Sequence, residues 1–237
     1  CLIVADISPA GSIAKFREEF PQRFVNTGVA EQIMIGMAAG MAQRGLKPFA
    51  YTIATFTLFR PYEFVRDDLC YQNLPVTIVG IGGGVTYSTL GATHHAMEDI
   101  SLSRALPNMN VIAPCDPNET EKATIWCTKQ NIGPVYLRLG KAGEPDLTSS
   151  AIEKWSFGKI RLIESTGNDI AIIGYGPILR LAFDFSKSLN KGYSIYSAST
   201  IKPIDTKRLK KILTDYSEII TIEETLEIGS LGQSIKV

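Results

Sequence analysis

The chain has 237 residues, 45% of them hydrophobic, and a formal net charge of zero. That length and apolar content predict a globular protein with a sizeable buried core, divided into about two domains. Because basic and acidic residues balance, nucleic acid and anionic membrane surfaces are not predicted partners.

Four cysteines occur without C-x-x-C spacing, at Cys1, Cys70, Cys115 and Cys127. This usage predicts reduced thiols and a cytoplasmic location. No apolar run reaches the roughly 20 residues that a membrane-spanning helix needs. No signal peptide is visible either, so no membrane association is predicted.

Apolar strands alternate with amphipathic helices along the first part of the chain. We predict strands at about 2–5, 24–25, 48–52, 76–80 and 110–112, and helices near 12–19, 30–43, 58–70, 96–105 and 117–129. The strand over 76–80 is apolar throughout, which is typical of a strand buried on both faces. Asp116 followed by Pro117 predicts the start of a helix. The pattern indicates an α/β fold whose parallel sheet binds ligands beyond the carboxyl ends of its strands.

The stretch from Asn26 to Leu69 carries the first candidate site. Glu31 lies in the first turn of an apolar, small-residue helix, and three aromatic residues follow, Phe56, Phe59 and Tyr62. A carboxylate shielded from water can hold or hand over a proton near neutral pH, and ring faces accept a flat heterocycle. Two simpler interpretations stay open: Glu31 only faces the helix dipole, and the aromatic residues only pack in the core.

The second candidate site is the glycine-rich loop from Gly80 to His95. Its three consecutive glycines suggest close backbone approach, and alone they are a weak signal for phosphate binding. His94 and His95 are the only histidines, and Glu98 follows one turn after His94. A metal site there would lack a second pair of ligands, so surface or capping histidines are the ordinary interpretation.

Taken together, GVAEQ with its small-residue helix, YTIATFTLF and GATHHAMEDI resemble the pyrimidine-binding domain of the transketolase family of thiamine diphosphate enzymes. The resemblance implies that Glu31 contacts the N1′ nitrogen of the aminopyrimidine and activates the cofactor, while Phe56 stacks on that ring. Phe59 and Tyr62 complete the implied cofactor site. His94 matches the histidine that contacts a substrate oxygen.

Two positions depart from the pattern of ketose-phosphate transketolases. Leu90 stands where an acidic residue is usual, and Gly82 where a histidine helps to hold the substrate phosphate. These departures indicate a donor or acceptor other than an ordinary pentose or hexose phosphate. Arg138 and Lys141 are candidate cationic contacts to a substrate phosphate or carboxylate, although ordinary surface charge explains them equally well.

Residues 141–158 are polar and rich in turn-forming residues, which predicts a linker. We therefore divide the chain into a pyrimidine-binding domain over 1–145 and a smaller α/β domain over 146–237, with a strand at 169–174 and a helix at 177–189. The segment Ile201–Asp205 resembles the C-terminal domain of transketolases, to which the family assigns packing and subunit contacts but no thiamine chemistry. Both ends of the chain look clipped, and the tail after Leu231 is expected to be poorly ordered unless something covers it.

No GDG motif occurs in the chain, although the family uses one to bind the diphosphate and metal of the cofactor. The resemblance therefore implies thiamine diphosphate with Mg2+ whose diphosphate and metal ligands lie on another chain, an N-terminal transketolase subunit, and it predicts no metal site in this chain. A homodimer or heterotetramer is expected, and the small-residue helix at 28–43 suits close packing between chains.

The function implied is transfer of a two-carbon ketol unit between sugars, active only with that partner. The alternatives are the beta subunit of a 2-oxo acid dehydrogenase, a deoxyxylulose-phosphate-synthase-like enzyme, and a non-catalytic binding subunit.

Overall fold

The computed structural model describes residues 1–7 and 12–236. Its strands are β1 (Leu2–Val4), β2 (Phe24–Asn26), β3 (Phe49–Ile53), β4 (Thr77–Ile81), β5 (Asn110–Ile112), β6 (Val135–Leu139), β7 (Arg161–Ser165), β8 (Ile170–Gly174), β9 (Tyr193–Ser197), β10 (Thr200–Lys202) and β11 (Glu218–Ile222). Its helices are α1 (Ser12–Glu19), α2 (Glu31–Gln43), α3 (Ala54–Leu58), α4 (Tyr62–Phe64), α5 (Asp99–Ala105), α6 (Pro117–Lys129), α7 (Arg180–Ser186), α8 (Thr206–Asp215) and α9 (Leu231–Ile235). Short 3-10 turns lie at Pro21–Arg23, Ser88–Leu90 and Pro177–Leu179, and α4 continues into a π-helical stretch, Val65–Tyr71.

Two sheets organise these elements, which confirms the α/β fold class. The first has seven strands in the order β10-β5-β6-β4-β3-β1-β2, and the second has four in the order β11-β8-β9-β7. In the first sheet every pairing is parallel except that of β10 with β5. The carboxyl ends of its six parallel strands therefore share one edge, where the loops that carry the candidate residues begin.

Strand β4 lies in the middle of the first sheet, and all five of its residues are buried. Ile78 packs in a cluster on one face, whereas Val79 and Ile81 pack in a separate cluster on the other face. This confirms the prediction of a strand buried on both faces, because apolar residues at every position suit a sheet covered by helices on both sides.

The predicted helix over 58–70 is two helices with a break between them. The first, α3, begins at Ala54 and ends at Leu58, and the second begins only at Tyr62. Pro61 has no backbone N–H and disfavours helical geometry in the residue before it, so the helix cannot run through Arg60. The break turns Arg60 out of the helix and toward the carboxyl edge of the sheet.

Two other helices differ from prediction at their ends. The helix predicted over 96–105 begins at Asp99, and the one predicted over 177–189 is a 3-10 turn followed by α7, which ends at Ser186. The start of α6 is as predicted, since the Asp116 side chain accepts a hydrogen bond from the Glu119 backbone N–H at 2.8 Å. Such a cap satisfies one of the free N–H groups of the first turn.

Strand β10 belongs to the second half of the chain but extends the first sheet, where Thr200 pairs with Ile112. Residues Leu231–Ile235 form α9 and are held against the rest of the protein, although Gln233 and Lys236 are exposed. Leu231 is fully buried, and its backbone N–H donates to Glu223 at 2.8 Å. Arg104 in α5 donates to Ser234 at 2.7 Å. Among residues 1–7 and 12–236, no helix combines the length and apolar character that crossing a bilayer requires.

Candidate functional site

Glu31 opens helix α2, which follows β2 at the carboxyl edge of the first sheet. Its carboxylate is buried, with only 4% of the side chain exposed, because the helix around it is built of small and apolar residues. Gly28 takes φ of +70° in the turn before the helix, a conformation that L side chains rarely adopt. The first-turn position also places the carboxylate at the positive end of the helix dipole.

Arg60 connects Glu31 to the aromatic residue Phe56. Its Nη1 lies 2.9 Å from Glu31 Oε1, and its Cζ lies 4.1 Å from the centroid of the Phe56 ring. A guanidinium over a ring face is a cation–π contact, so one side chain holds the carboxylate and the ring side by side. Sequence reasoning missed Arg60. Its signal was available, since Arg60 is the only charged residue between Lys47 and Glu63.

Phe59 and Tyr62 lie on either side of Arg60 and Pro61, at the end of α3 and the start of α4. Both are partly buried and pack against the main core, and the Tyr62 hydroxyl donates to the Leu102 carbonyl oxygen at 3.1 Å. These contacts tie the turn at 59–61, which carries Arg60 and follows the helix that carries Phe56, to helix α5. The structure therefore gives these two rings a supporting position, and their direct contact with a cofactor stays a prediction.

His94 reaches the same cluster from the glycine-rich loop. Its ring centroid lies 5.2 Å from that of Phe56, with the two planes at 73°. The Tyr87 ring is a second aromatic neighbour of His94, 6.4 Å away between centroids. The Nδ1 atom of His94 lies within hydrogen-bonding distance, 2.9 Å, of the Thr93 hydroxyl. Glu31, Phe56 and His94 thus lie in one continuous group, although they come from three separate segments.

Tyr87 explains the glycine at position 82. Gly82 has φ of +70°, and a Cβ atom there would lie 2.1 Å from a ring carbon of Tyr87. A histidine at this position would therefore require the Tyr87 ring to move and would strain the backbone. The Nζ atom of Lys141 lies 5.6 Å from the same ring, so an exposed cation stands beside the loop. Tyr87 is a second residue that sequence reasoning missed.

Arg138 lies in the interior, with 4% of its side chain exposed. Its Nε donates to Asp99 Oδ2 at 2.8 Å, and its Nη2 donates to the carbonyl oxygens of Glu224 at 2.8 Å and Ala96 at 3.4 Å. Tyr136 donates to the same Asp99 oxygen at 2.8 Å. A direct contact between Arg138 and a substrate would require it to exchange one of these partners, and that contact stays a prediction.

The donor set at the carboxyl edge fits the aminopyrimidine end of thiamine. A buried carboxylate can accept a hydrogen bond from a ring nitrogen, and the neighbouring Phe56 offers a flat face for stacking. Across the described parts of the chain, no three or more His, Cys, Asp or Glu residues are grouped so that they could hold a metal ion.

The parallel α/β sheet, with a buried carboxylate and an aromatic ring at its carboxyl edge, is the arrangement expected from the resemblance to pyrimidine-binding domains. Residues 1–143 match the pyrimidine-binding domain of transketolase, and residues 158–236 match the transketolase C-terminal domain. The chain therefore belongs to the transketolase family, whose members depend on thiamine diphosphate.

Three relatives illustrate this similarity. One of the subunits of apulose-4-phosphate transketolase from Phocaeicola vulgatus is 35% identical over 233 residues, which cover 97% of this chain and 74% of that protein. The 1-deoxy-D-xylulose-5-phosphate synthase of Clostridium perfringens is also 35% identical over 237 residues, but the chain spans only 38% of its length. A solved structure described as a split gene transketolase, inactive beta4 tetramer, superposes with a TM-score of 0.87 at 32% identity and covers 99% of this chain and 76% of that one.

Proposed function

We propose that this chain is the C-terminal, beta-type subunit of a thiamine-diphosphate-dependent transketolase that transfers a two-carbon ketol unit from a small sugar donor to an aldehyde acceptor. The observation that carries this proposal is the meeting of Glu31, Phe56 and His94 at one edge of the sheet, joined through Arg60. The similarity to a subunit of a transketolase over nearly the whole chain supports it.

Glu31 and Phe56 serve the cofactor in this proposal. When bound, thiamine diphosphate would supply a carbanion that breaks and re-forms the carbon–carbon bond beside a ketone. Glu31 contributes a carboxylate, shielded from water, that accepts a hydrogen bond from a ring nitrogen and exchanges a proton with it. Phe56 contributes a ring face. Phe59 and Tyr62 anchor the turn that follows α3, the helix that carries Phe56. This role is in addition to the cofactor contact predicted for them.

His94 is the proposed substrate contact. Its ring lies 5.2 Å from that of Phe56, centroid to centroid, where it can donate a hydrogen bond to a substrate oxygen and stabilise the charge that develops there. Lys141, on the same edge, is suited to attract an anionic group of the substrate. Arg138 is the second proposed cation, provided that it exchanges one of its protein partners for the substrate.

The diphosphate and Mg2+ are assigned to a second polypeptide that carries the GDG motif. Val29, just before α2, is 71% exposed, and Ile33 in its first turn is 58% exposed. These apolar side chains support a further chain packing there in a homodimer or heterotetramer. The domain boundary at residue 145 and the cytoplasmic location predicted from the cysteines belong to the same proposal.

The test is calorimetric titration of thiamine diphosphate with Mg2+ against this chain, against a partner that carries GDG, and against their mixture. Tight binding and ketol transfer are expected only in the mixture. In that mixture Glu31→Gln should lose most turnover, whereas Glu63→Gln, which changes an exposed carboxylate in α4, should not change it. Full turnover of the Glu31→Gln complex would favour the non-catalytic binding subunit.

A second candidate function is a deoxyxylulose-phosphate-synthase-like reaction, in which pyruvate is the donor, loses carbon dioxide and passes its remaining two-carbon unit to an aldehyde. One relative carries the name 1-deoxy-D-xylulose-5-phosphate synthase. The chain is 35% identical both to the transketolase subunit and to the deoxyxylulose-phosphate synthase, so sequence identity supports this second function as much as the first. The donor substrate distinguishes the two functions: a ketose for ketol transfer, and pyruvate for the second reaction. Release of carbon dioxide from pyruvate by the assembled complex would replace ketol transfer with this second reaction.

A further inference from the structure

The loop that carries His94 is closed at its base by one pair of residues. We call residues 84–96 the histidine loop. Gly84 N–H donates to the Ala96 carbonyl oxygen at 3.1 Å, and Ala96 N–H donates to the Gly84 carbonyl oxygen at 2.8 Å. The orientation of the Gly84–Ala96 pair therefore affects the position of the whole loop, and with it the position of His94 beside Phe56.

Glu224, which follows β11 in the second half of the chain, contacts one end of this base directly and the other through Arg138. Its carboxylate Oε1 accepts a hydrogen bond from Val85 N–H at 3.2 Å. Its backbone carbonyl oxygen accepts from Arg138 Nη2 at 2.8 Å, and the same Nη2 reaches the Ala96 carbonyl oxygen at 3.4 Å. One end of the loop is thus held by the Glu224 carboxylate and the other through Arg138.

The next residues continue the contact. Thr225 donates its hydroxyl, and Leu226 its backbone N–H, to the Met97 carbonyl oxygen at 2.7 and 3.0 Å. The segment after β11 therefore runs beside the exit of the histidine loop. Since Arg138 is fixed by its ion pair with Asp99 at 2.8 Å, this side of the contact is rigid.

Two of the consecutive glycines make room for these groups. A Cβ atom on Gly84 would lie 2.2 Å from Glu224 Cδ, and one on Gly83 would lie 2.2 Å from Arg138 Nε. Gly84 also has φ of +66°, which disfavours any L side chain there. The close backbone approach suggested by this glycine run is thus an approach to the Glu224 carboxylate and the Arg138 guanidinium.

We propose that Glu224 is a positioning residue which, together with Arg138, orients the histidine loop and so places His94 beside Phe56. The second half of the chain then contributes to the substrate site, beyond the packing that the family resemblance assigns to it. The consequence for turnover rests on the proposed function, but the orientation of the loop does not.

The first experiment measures hydrogen–deuterium exchange of the isolated chain by mass spectrometry. Glu224→Ala should speed exchange of the amides in 85–95 by up to about tenfold, the change expected from losing one hydrogen bond of ordinary strength. Glu224→Gln should leave exchange unchanged, because the amide oxygen can accept the same bond. Glu227→Ala is the matched control, since that carboxylate is exposed and pairs only with Lys236 among the described residues.

Three outcomes would overturn the proposal. These are unchanged loop exchange in Glu224→Ala, equal loosening in Glu224→Gln, and faster exchange across the whole chain with a lower melting temperature. The last outcome would make Glu224 a residue of general stability.

The second experiment uses the assembled complex. Glu224→Ala should lower kcat severalfold while the Kd for thiamine diphosphate stays the same, and Glu224→Gln should restore kcat. If the loop loosens as expected but the wild-type complex transfers no ketol unit, the proposed function fails and the positioning role stands. A change in cofactor Kd without a change in kcat would contradict the role of Glu224 at the substrate side.

Discussion

At the scale of single residues, Arg60 holds the candidate site together. Burying the Glu31 carboxylate removes it from water, which is costly unless a partner compensates the charge. The Arg60 guanidinium supplies that partner at 2.9 Å and at the same time covers the Phe56 ring. The charge and the flat face expected of a pyrimidine site are therefore fixed relative to each other by one side chain.

Arg60→Ala should lower the free energy of unfolding by about 1–2 kcal/mol, because it leaves the Glu31 carboxylate buried without its partner. The loss stays below that of a fully buried pair since 46% of the Arg60 side chain is exposed. Urea denaturation measures the change. The double variant Glu31→Gln with Arg60→Ala should lose less than the sum of the single variants, and simple additivity would contradict this coupling. Arg66→Ala, which breaks an exposed pair with Asp67, is the control.

The cysteines give a prediction for pH. Burial raises the pKa of Cys70 to about 12 and that of Cys127 to about 12. Folded thiols with raised pKa values bind protons more tightly than unfolded ones. Their contribution to stability is therefore present below about pH 8.5, the ordinary thiol pKa, and is lost as the pH rises toward 12.

We expect the free energy of unfolding to fall as the pH rises above about 9. Denaturant titrations at several pH values should show this fall, and Cys127→Ala should make it shallower. Iodoacetamide at neutral pH should label the buried thiols of Cys70 and Cys127 only after unfolding. Rapid labelling of either thiol in the native chain would contradict the burial on which the prediction rests.

At the scale of elements, the start of α6 joins three segments of the chain. Asp116 caps the helix through Glu119 N–H, and its other oxygen accepts from the backbone N–H groups of Leu147 and Thr148 at 3.0 and 2.8 Å. The Thr148 hydroxyl donates to it as well, at 2.7 Å. The segment after β6 is thereby fixed to the helix that follows β5.

Asp116→Ala should cost about 3 kcal/mol of unfolding free energy, because it removes a cap and leaves buried donors without an acceptor. Asp205→Ala is a comparison with fewer and longer contacts: Asp205 caps α8 by accepting from Arg208 N–H at 3.1 Å, and its other oxygen lies 3.4 Å from Ile160 N and 3.9 Å from Lys159 Nζ. Its loss should cost only about 1–2 kcal/mol. Equal losses in the two variants, measured by chemical denaturation, would show that the added contacts of Asp116 contribute nothing.

At the scale of the whole molecule, the two halves of the chain share a sheet and buried charges. Strand β10 pairs with β5, and Arg161 of β7 forms an ion pair with Glu119 of α6 at 2.8 Å. Both charged side chains are almost fully buried, with 3% and 0% exposed. This ion pair opposes separation of the two halves, because losing either partner leaves the other charge buried and unpaired.

Glu119→Ala should destabilise the protein by about 3–5 kcal/mol, the cost of leaving Arg161 buried and unpaired. The two halves should then unfold in separate steps or at a common lower temperature, which calorimetry distinguishes. Lys191→Ala, which breaks an exposed pair with Glu218, should change stability by less than about 1 kcal/mol. A wild-type melting curve for Glu119→Ala would argue against any role of this pair in joining the halves.

The sequence by itself determined the α/β class, the buried strand β4 and the capped start of α6. These features follow from local periodicity and from preferences of single residues, which a sequence displays directly. Even the break at Pro61 had a local signal, although the prediction of a continuous helix over 58–70 overlooked it.

Only the tertiary structure decided which side chains complete the site. Arg60 meets Glu31 across 29 residues, and Glu224 meets Val85 across 139. Neither contact leaves a periodic pattern in the sequence, because each depends on how strands and turns from distant segments are brought to the same edge of the sheet. The polar groups that orient the site were therefore visible only once the chain was folded.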